Sequence, residues 1–255
     1  TEVAGTMARD WWYGAPGTSI HLALENGTML RPPSDFSLTK GVTAETNTTD
    51  GFVSRMRGIL TVPVSGDYRF GISGDDHCEL WISDNERKFD KRKIAAVEPA
   101  AWQDPNGPAY NMPGRWGQYP SQQSEPVRLK KGERIFMEVI HQDRGGPDHV
   151  SVAWQLQREG APPRWATKPI DPAQIVSYAG DPDDLDDAYL PDSWEKKFGL
   201  DVADNGSRDH DKQGENGDFD SDRLTNREEF LLGTNPCSAD TDGDGLGDFD
   251  EIHVY

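Results

Sequence analysis

Residues 62–83 read VPVSGDYRFGISGDDHCELWIS, and this stretch decides the fold. Tyr68, Phe70 and Ile72 alternate with polar or small residues, the period of a strand with one buried face. Ser65-Gly66-Asp67 supplies a turn before it, and a second strand is expected at 79–83, beyond Asp75-Asp76. Further along, Val150, Val152, Trp154 and Leu156 repeat the alternation, and strands are also expected at 52–62 and 134–142. Lys131-Gly132-Glu133 and Arg144-Gly145-Gly146-Pro147 punctuate them. Helical periodicity is almost absent from residues 1–180. Short strands between Gly/Pro turns predict a mainly β domain, an antiparallel β-sandwich. Residues 97–123, rich in Pro, Gly, Trp and Tyr, are expected to be irregular.

The composition changes near Gly180. The whole chain has a formal charge of −19 over 255 residues. Residues 181–255 hold 23 Asp/Glu against 6 Lys/Arg, a net of −17, whereas residues 1–180 hold 22 against 20, a net of −2. Two domains are therefore expected, 1–180 and 181–255. A folded segment this acidic repels itself unless something cationic binds it. A disordered tail is the alternative. Against it, Trp194, Phe198, Leu200, Phe230, Leu231 and Leu232 are interleaved with regularly spaced acids. Such charge argues against nucleic acid and anionic membrane as partners. No hydrophobic run is long enough to insert directly into a membrane, and no signal peptide is present. Thr1 opens directly into folded-looking sequence, which reads as a mature secreted form or a cut-out fragment. The basic cluster RKFDKRK at 87–93 is expected to be a solvated loop.

Calcium takes six to eight oxygens. Twelve-residue loops supply them from positions 1, 3, 5 and 9, a carbonyl at 7 and a bidentate Glu at 12. Residues 240–251, DTDGDGLGDFDE, place Asp240, Asp242, Asp244, Asp248 and Glu251 at the side-chain positions, Leu246 at 7 and Gly245 at the sharp turn. Residues 218–229, DFDSDRLTNREE, place Asp218, Asp220, Asp222, Asn226 and Glu229 likewise, with Leu224 at 7. Arg223 stands there in place of the turn glycine, at some cost in backbone strain. A helix is expected to leave this loop over 225–232 and stop at Gly233. A degraded third loop, 184–195, offers Asp184, Asp186, Asp192 and Glu195. Ala188 offers no oxygen at position 5, and Tyr189 replaces the turn glycine. This loop is expected to bind weakly, helped by water, Asp183 or Asp187, or to be purely structural. The bland alternative for all three is a set of solvated Asp/Gly turns.

The phrases LPDSWEKKFGL, DFDSDRLTNREEFLLGTNP and DTDGDGLGDFDEIHVY resemble thrombospondin type 3 calcium-binding repeats. The resemblance implies a calcium-stiffened stalk on a secreted or surface protein. Dockerins share the loop and the short spacing, so a docking partner is a lesser implication.

VPVSGDYRFGISGDDHCELWIS, with YPSQQSEPVRLKKGERIFMEVIHQDRGGPDHVSVAWQ at 119–155, is similar to the protective-antigen-type β-sandwich domain (PA-fourteen). In lectin-like members a double aspartate joined by a cis peptide holds a calcium ion that coordinates sugar hydroxyls. The resemblance maps that pair onto Asp75-Asp76 and a second loop onto 142–149, with Asp148 as its best side-chain ligand. His77 stands where the usual loop carries Asn or Gly. Trp102, Tyr110, Trp116 and Tyr119 are candidates for a stacking face. A capping Asx-turn is the plainer role for Asp-Asp. His77, His141 and His149 match no zinc spacing and are expected to be hydrogen-bonded or solvated.

Cys78 and Cys237 are both out of place relative to these phrases; a disulfide joining the two domains and two independent thiols both remain open. No catalytic constellation stands out, so the chain reads as non-enzymatic. The expected function is a calcium-dependent, lectin-like adhesive module holding two to four calcium ions. Its expected partner is a glycan or cell-surface polysaccharide, and its location a secreted or surface one in a bacterium. The alternative is a structural subunit of a surface assembly that contacts neighbouring copies or other surface proteins without binding sugar. A third option is a non-catalytic appendage of a larger hydrolase.

Overall fold

The computed structural model describes residues 1–14, 20–25, 27–44, 50–97, 111–157 and 168–253. These form two compact units, Thr1–Ala179 and Gly180–Tyr255.

The first unit is built from ten strands: β1 (Thr6–Tyr13), β2 (Asp35–Lys40), β3 (Phe52–Thr61), β4 (Gly66–Asp75), β5 (His77–Ile82), β6 (Arg92–Val97), β7 (Val127–Leu129), β8 (Arg134–Asp143), β9 (His149–Leu156) and β10 (Ile175–Ser177). The larger sheet runs β2-β1-β3-β8-β5-β6, with β10 also on β3; the smaller runs β7-β4-β9. All of these pairings are antiparallel. Tyr68, Phe70, Ile72, Val150 and Val152 of the small sheet pack on Met56, Leu60, Leu80, Ile82, Met137 and Val139 of the large one. The apolar alternation of β4 and β9 thus faces one dry core. Each such side chain stabilises the fold by about 1.5–3 kcal/mol, and Phe70→Ala is expected to cost about 3–5 kcal/mol.

The outer face of the large sheet is also covered. The short helix α1 (Ile20–Glu25) sets Ile20 and Ala23 against Val53 and Ile140. On β1 and β3, the Asp10 carboxylate holds Arg55 at 3.0 Å and Arg57 at 2.9 Å. β1 is consequently buried nearly throughout, which erases the alternation that would have marked TMARDWWY as a strand. The basic cluster is not a solvated loop. Lys88 is only 1% exposed, Lys91 pairs with the fully buried Glu138 at 2.7 Å, and Arg92 and Lys93 open β6.

The second unit carries three loops, each running into a short helix: α2 (Asp192–Phe198), α3 (Asn226–Leu232) and α4 (Asp248–His253). Thr225 and Glu228 cap α3 reciprocally, and Gly199 and Gly233 end α2 and α3 in the left-handed conformation. Trp194 packs on Phe198 and edge-on to Phe230 at 5.7 Å, joining α2 to α3, and Leu190, Leu200 and Leu224 are buried in this unit.

Candidate functional site

Two strand crossings stack at one end of the sandwich. The chain leaves the small sheet at Asp75 and enters the large sheet at His77; between β8 and β9 it returns. The register pairs Asp75 with His149 in the small sheet and His77 with Gln142 in the large one. The corner Asp75-Asp76, joined by a cis peptide, therefore meets the 143–148 turn. Asp75 and Asp76 stay partly exposed, whereas Asp143 and Asp148 are each 2% exposed. The Asp76 carboxylate accepts from the Arg144 N–H at 2.9 Å, and Asp143 Oδ2 accepts from the Gly51 N–H at 3.1 Å. Asp143 Oδ1 is buried without a hydrogen-bond partner.

Burial, then Asp76, Asp143 and Asp148, push the Asp75 carboxyl up to about 7. Asp143 rises to about 6, through burial and the same neighbours. Burial and like charge disfavour the ionised form of this cluster, so its carboxyls hold protons more readily than free ones. Asp143 lies inside the 142–149 loop at the end of β8, where strand periodicity carries no ligand signal.

Around this corner two of the three histidines hydrogen-bond to backbone, whereas His149 is buried with its Nε2 unpartnered rather than solvated. His141 Nε2 donates to the Asp75 carbonyl at 2.7 Å, and burial drives His141 down to about 3, so the ring is neutral. His77 is buried, and its Nδ1 accepts from the Ile20 N–H at 3.3 Å, so it does not present itself to a ligand. Trp116 is 5% exposed and sealed into its own turn, which removes it as a free stacking face. Tyr119 is partly buried against the core. Trp102 and Tyr110 lie outside the described residues.

In the second unit the three loops share one backbone. Positions 4 and 6 have positive φ in each: Asp187 (63°) and Tyr189 (61°), Ser221 (74°) and Arg223 (89°), Gly243 (75°) and Gly245 (98°). The first aspartate accepts backbone N–H groups from both positions 4 and 6 in the second and third loops, as Asp218 and Asp240 do. Asp184 accepts from positions 5 and 6, Ala188 and Tyr189. The second aspartate takes the N–H of position 5 every time.

Carboxylate oxygens of Asp218, Asp220 and Asp222 lie within 4.8 Å of one another, as do those of Asp240, Asp242 and Asp244, close enough to share a metal ion. Among the described residues no other acidic, His or Cys trio is that close, so the Asp75 corner is the looser arrangement. Glu229 is fully buried, and Asp220 Oδ2, Asp222 Oδ2, Asn226 Oδ1 and Glu229 Oε2 are all buried without partners. Burial and then Asp220 and Asp222 push Glu229 up to about 8. Asp248 and Leu246 complete the last loop, where Glu251 is exposed.

Loop 184–195 keeps the buried glutamate of position 12, although Ala188 offers no oxygen at position 5. Glu195 is fully buried with both carboxylate oxygens unpartnered, and burial followed by Asp186 pushes it up to about 8. The Asp183 carboxylate takes the N–H and hydroxyl of Ser193 at the start of α2.

The two cysteines are free thiols, not a bridge. Cys78 is enclosed in the sandwich core, packed so closely on Gly74 that a Cβ there would meet its Sγ at 2.5 Å. Cys237 instead donates to the Phe198 carbonyl within its own unit, at 3.2 Å.

An antiparallel sandwich with an aspartate pair at the crossing defines the class, and the comparisons agree. The PA14 domain profile matches residues 11–164, more than half of the chain, and the chain belongs to the PA14 domain family. N-acetyl-beta-glucosaminyl-glycoprotein 4-beta-N-acetylgalactosaminyltransferase 1 of Mus musculus is 31% identical over 147 residues, 57% of this chain and 13% of that protein. Fibrocystin-L of Homo sapiens is 32% identical over 94 residues, 37% of this chain and 2% of that protein. The chain thus spans a small fraction of these relatives. Among solved structures, the PA14 domain of MpAFP antifreeze protein aligns at 12% identity and TM-score 0.47, covering 71% of this chain and 95% of that one. The Epithelial Adhesin 9 A domain from Candida glabrata, in complex with Galb1-4GlcNAc, aligns at 10% identity and TM-score 0.45, covering 71% and 93%. No helix among the described residues is long and apolar enough to cross a membrane.

Proposed function

We propose that this chain is a non-catalytic, calcium-dependent carbohydrate-binding module of a secreted or surface protein, with a thrombospondin type 3-like calcium module behind it. The observation that carries the reading is the cis-linked Asp75-Asp76 corner held against the 143–148 turn, where Asp143 and Asp148 are buried and Asp143 Oδ1 is unpartnered. Calcium is the cation these hard oxygen donors suit. The partly exposed Asp75 and Asp76 leave coordination positions that vicinal sugar hydroxyls can take from water. In the second unit, the unpartnered oxygens of Asp220, Asp222, Asn226, Glu229 and Glu195 support calcium in loops 218–229 and 184–195. The Asp240-Asp242-Asp244 trio supports it in 240–251. Together with the corner this makes up to four ions.

The test is retention on a glycan array in millimolar calcium, abolished by chelator and by Asp75→Ala or Asp76→Ala. Variants that bind sugars like the parent refute the site. One observation favours a second reading, in which the module assembles surface structures without binding sugar: Trp116 is buried rather than available for stacking. Calcium-dependent self-association with no glycan preference, measured by sedimentation velocity, would establish that alternative.

A further inference from the structure

Loop 218–229 differs from its companions in how position 9 is held. In the other two loops the position-9 carboxylate closes the loop on itself. Asp192 Oδ1 accepts from the Leu185 N–H at 2.8 Å, and Asp248 Oδ1 from the Thr241 N–H at 2.9 Å. Position 9 of the middle loop is Asn226, whose Nδ2 donates away from the loop to the carbonyls of Lys212 and Gly214, each at 2.9 Å. Both amide hydrogens are thereby used, which leaves the buried Oδ1 as the free atom.

Lys212 also grips the opposite end of the same loop. Its ammonium donates to the Asp218 carbonyl at 3.1 Å, the Phe219 carbonyl at 2.9 Å and the Ser221 hydroxyl at 2.7 Å. These contacts use all three of its hydrogens. The segment preceding the loop is tied down besides: Asp218 N–H donates to the Asp211 carbonyl, Asn226 N–H to the Gly217 carbonyl, and Arg227 pairs with Glu215 at 3.1 Å.

We propose that Lys212 is a positioning residue for a calcium ion in loop 218–229. Its side chain fixes positions 1, 2 and 4, and its carbonyl orients the position-9 oxygen before the cation arrives. The inference rests on the reading of this loop as a calcium site. It makes a prediction opposite in sign to simple electrostatics. A fixed ammonium repels calcium, so Coulomb's law alone has Lys212→Met bind calcium more tightly. Loss of a group that orients a ligand weakens metal binding, by about ten- to a hundredfold.

Calcium titration of the full chain by isothermal calorimetry separates the two. One site is expected to weaken at least about tenfold in Lys212→Met, with the remaining sites unchanged. Lys212→Arg, which keeps a charged donor, is expected to recover most of the affinity. Unchanged or tighter binding in Lys212→Met overturns the proposal, and so does equal weakening at every site, which would mean general unfolding. If Asp220→Asn leaves the parent titration unaltered, the loop is not a calcium site and the underlying reading fails instead.

Discussion

Replacing Glu229 by Gln should stabilise the cation-free second unit and destabilise the calcium-loaded one. Glu229 is fully buried, and its Oε2 has no partner. Its carboxyl is moved from the ordinary 4.5 to about 8, by burial first and then by Asp220, Asp222, Asp248 and Asp218. Each tenfold change in proton affinity is worth ~1.4 kcal/mol, so ionising this group at pH 8 without a cation costs at most about 5 kcal/mol. The partly exposed Asp218, Asp220 and Asp222 admit water to the loop, and screening reduces the cost to about 2 kcal/mol. Glutamine keeps the shape and removes the charge, so in chelator at pH 8 the melting temperature should rise by about 10 °C. Between 4.5 and 8 the folded parent binds more protons than the unfolded chain, so its stability in chelator falls as pH rises across that window. The advantage of the variant should accordingly vanish near pH 4.5. In saturating calcium the order reverses, because the bidentate ligand is lost. Scanning calorimetry with and without chelator reads both signs. A variant less stable than the parent in chelator at pH 8 would refute the argument that the buried carboxylate lacks its counter-charge.

Three other outcomes are expected. Chelation should lower the melting temperature of the parent's second unit, since calcium at a thousandfold its Kd stabilises by about 4 kcal/mol per site; a melting curve indifferent to chelator contradicts calcium in these loops. Burial drives His141 down to about 3, so its neutral form stabilises the first unit above the ordinary 6.5, and that stability is lost as pH falls toward 3. Urea unfolding in saturating calcium should show this loss, by at most ~1.4 kcal/mol per pH unit, and His141→Gln should flatten it; an unflattened profile would place the acid sensitivity elsewhere. Titration with a thiol reagent should modify Cys237 alone in the native protein and both cysteines after unfolding, because burial shields Cys78 and raises its pKa; a single reactive thiol after unfolding under non-reducing conditions would contradict the free pair.

The parts of this molecule that were legible in the sequence are those governed by near neighbours in the chain. β4 and β9 keep an apolar period of two in their residue types, because the positions between Tyr68, Phe70 and Ile72 and between Val150 and Val152 are small or polar even where the fold buries them, whereas β1 sets Arg9 and Asp10 among its buried apolar residues and shows no period. β6 was hidden in the basic cluster, because Lys88 and Lys91 sit among buried groups that only the folded sheet supplies. The twelve-residue loops could be read because their oxygens come from one continuous segment. Counting side chains says nothing of the backbone of 184–195, where Asp187 and Tyr189 accept the same left-handed positions that glycines fill in 240–251. A backbone conformation is invisible to a count of ligands.

Asp143 illustrates the opposite case. It comes to the Asp75-Asp76 corner only because two strand crossings, separated by long stretches of chain, are held in register by the pairs Asp75–His149 and His77–Gln142. A slip of one residue between β5 and β8 would move the Asp75-Asp76 corner off Asp143, and one between β4 and β9 would move it off Asp148. Charge at this corner is therefore a property of sheet register, and the same register that assembles the sandwich core sets these carboxylates side by side.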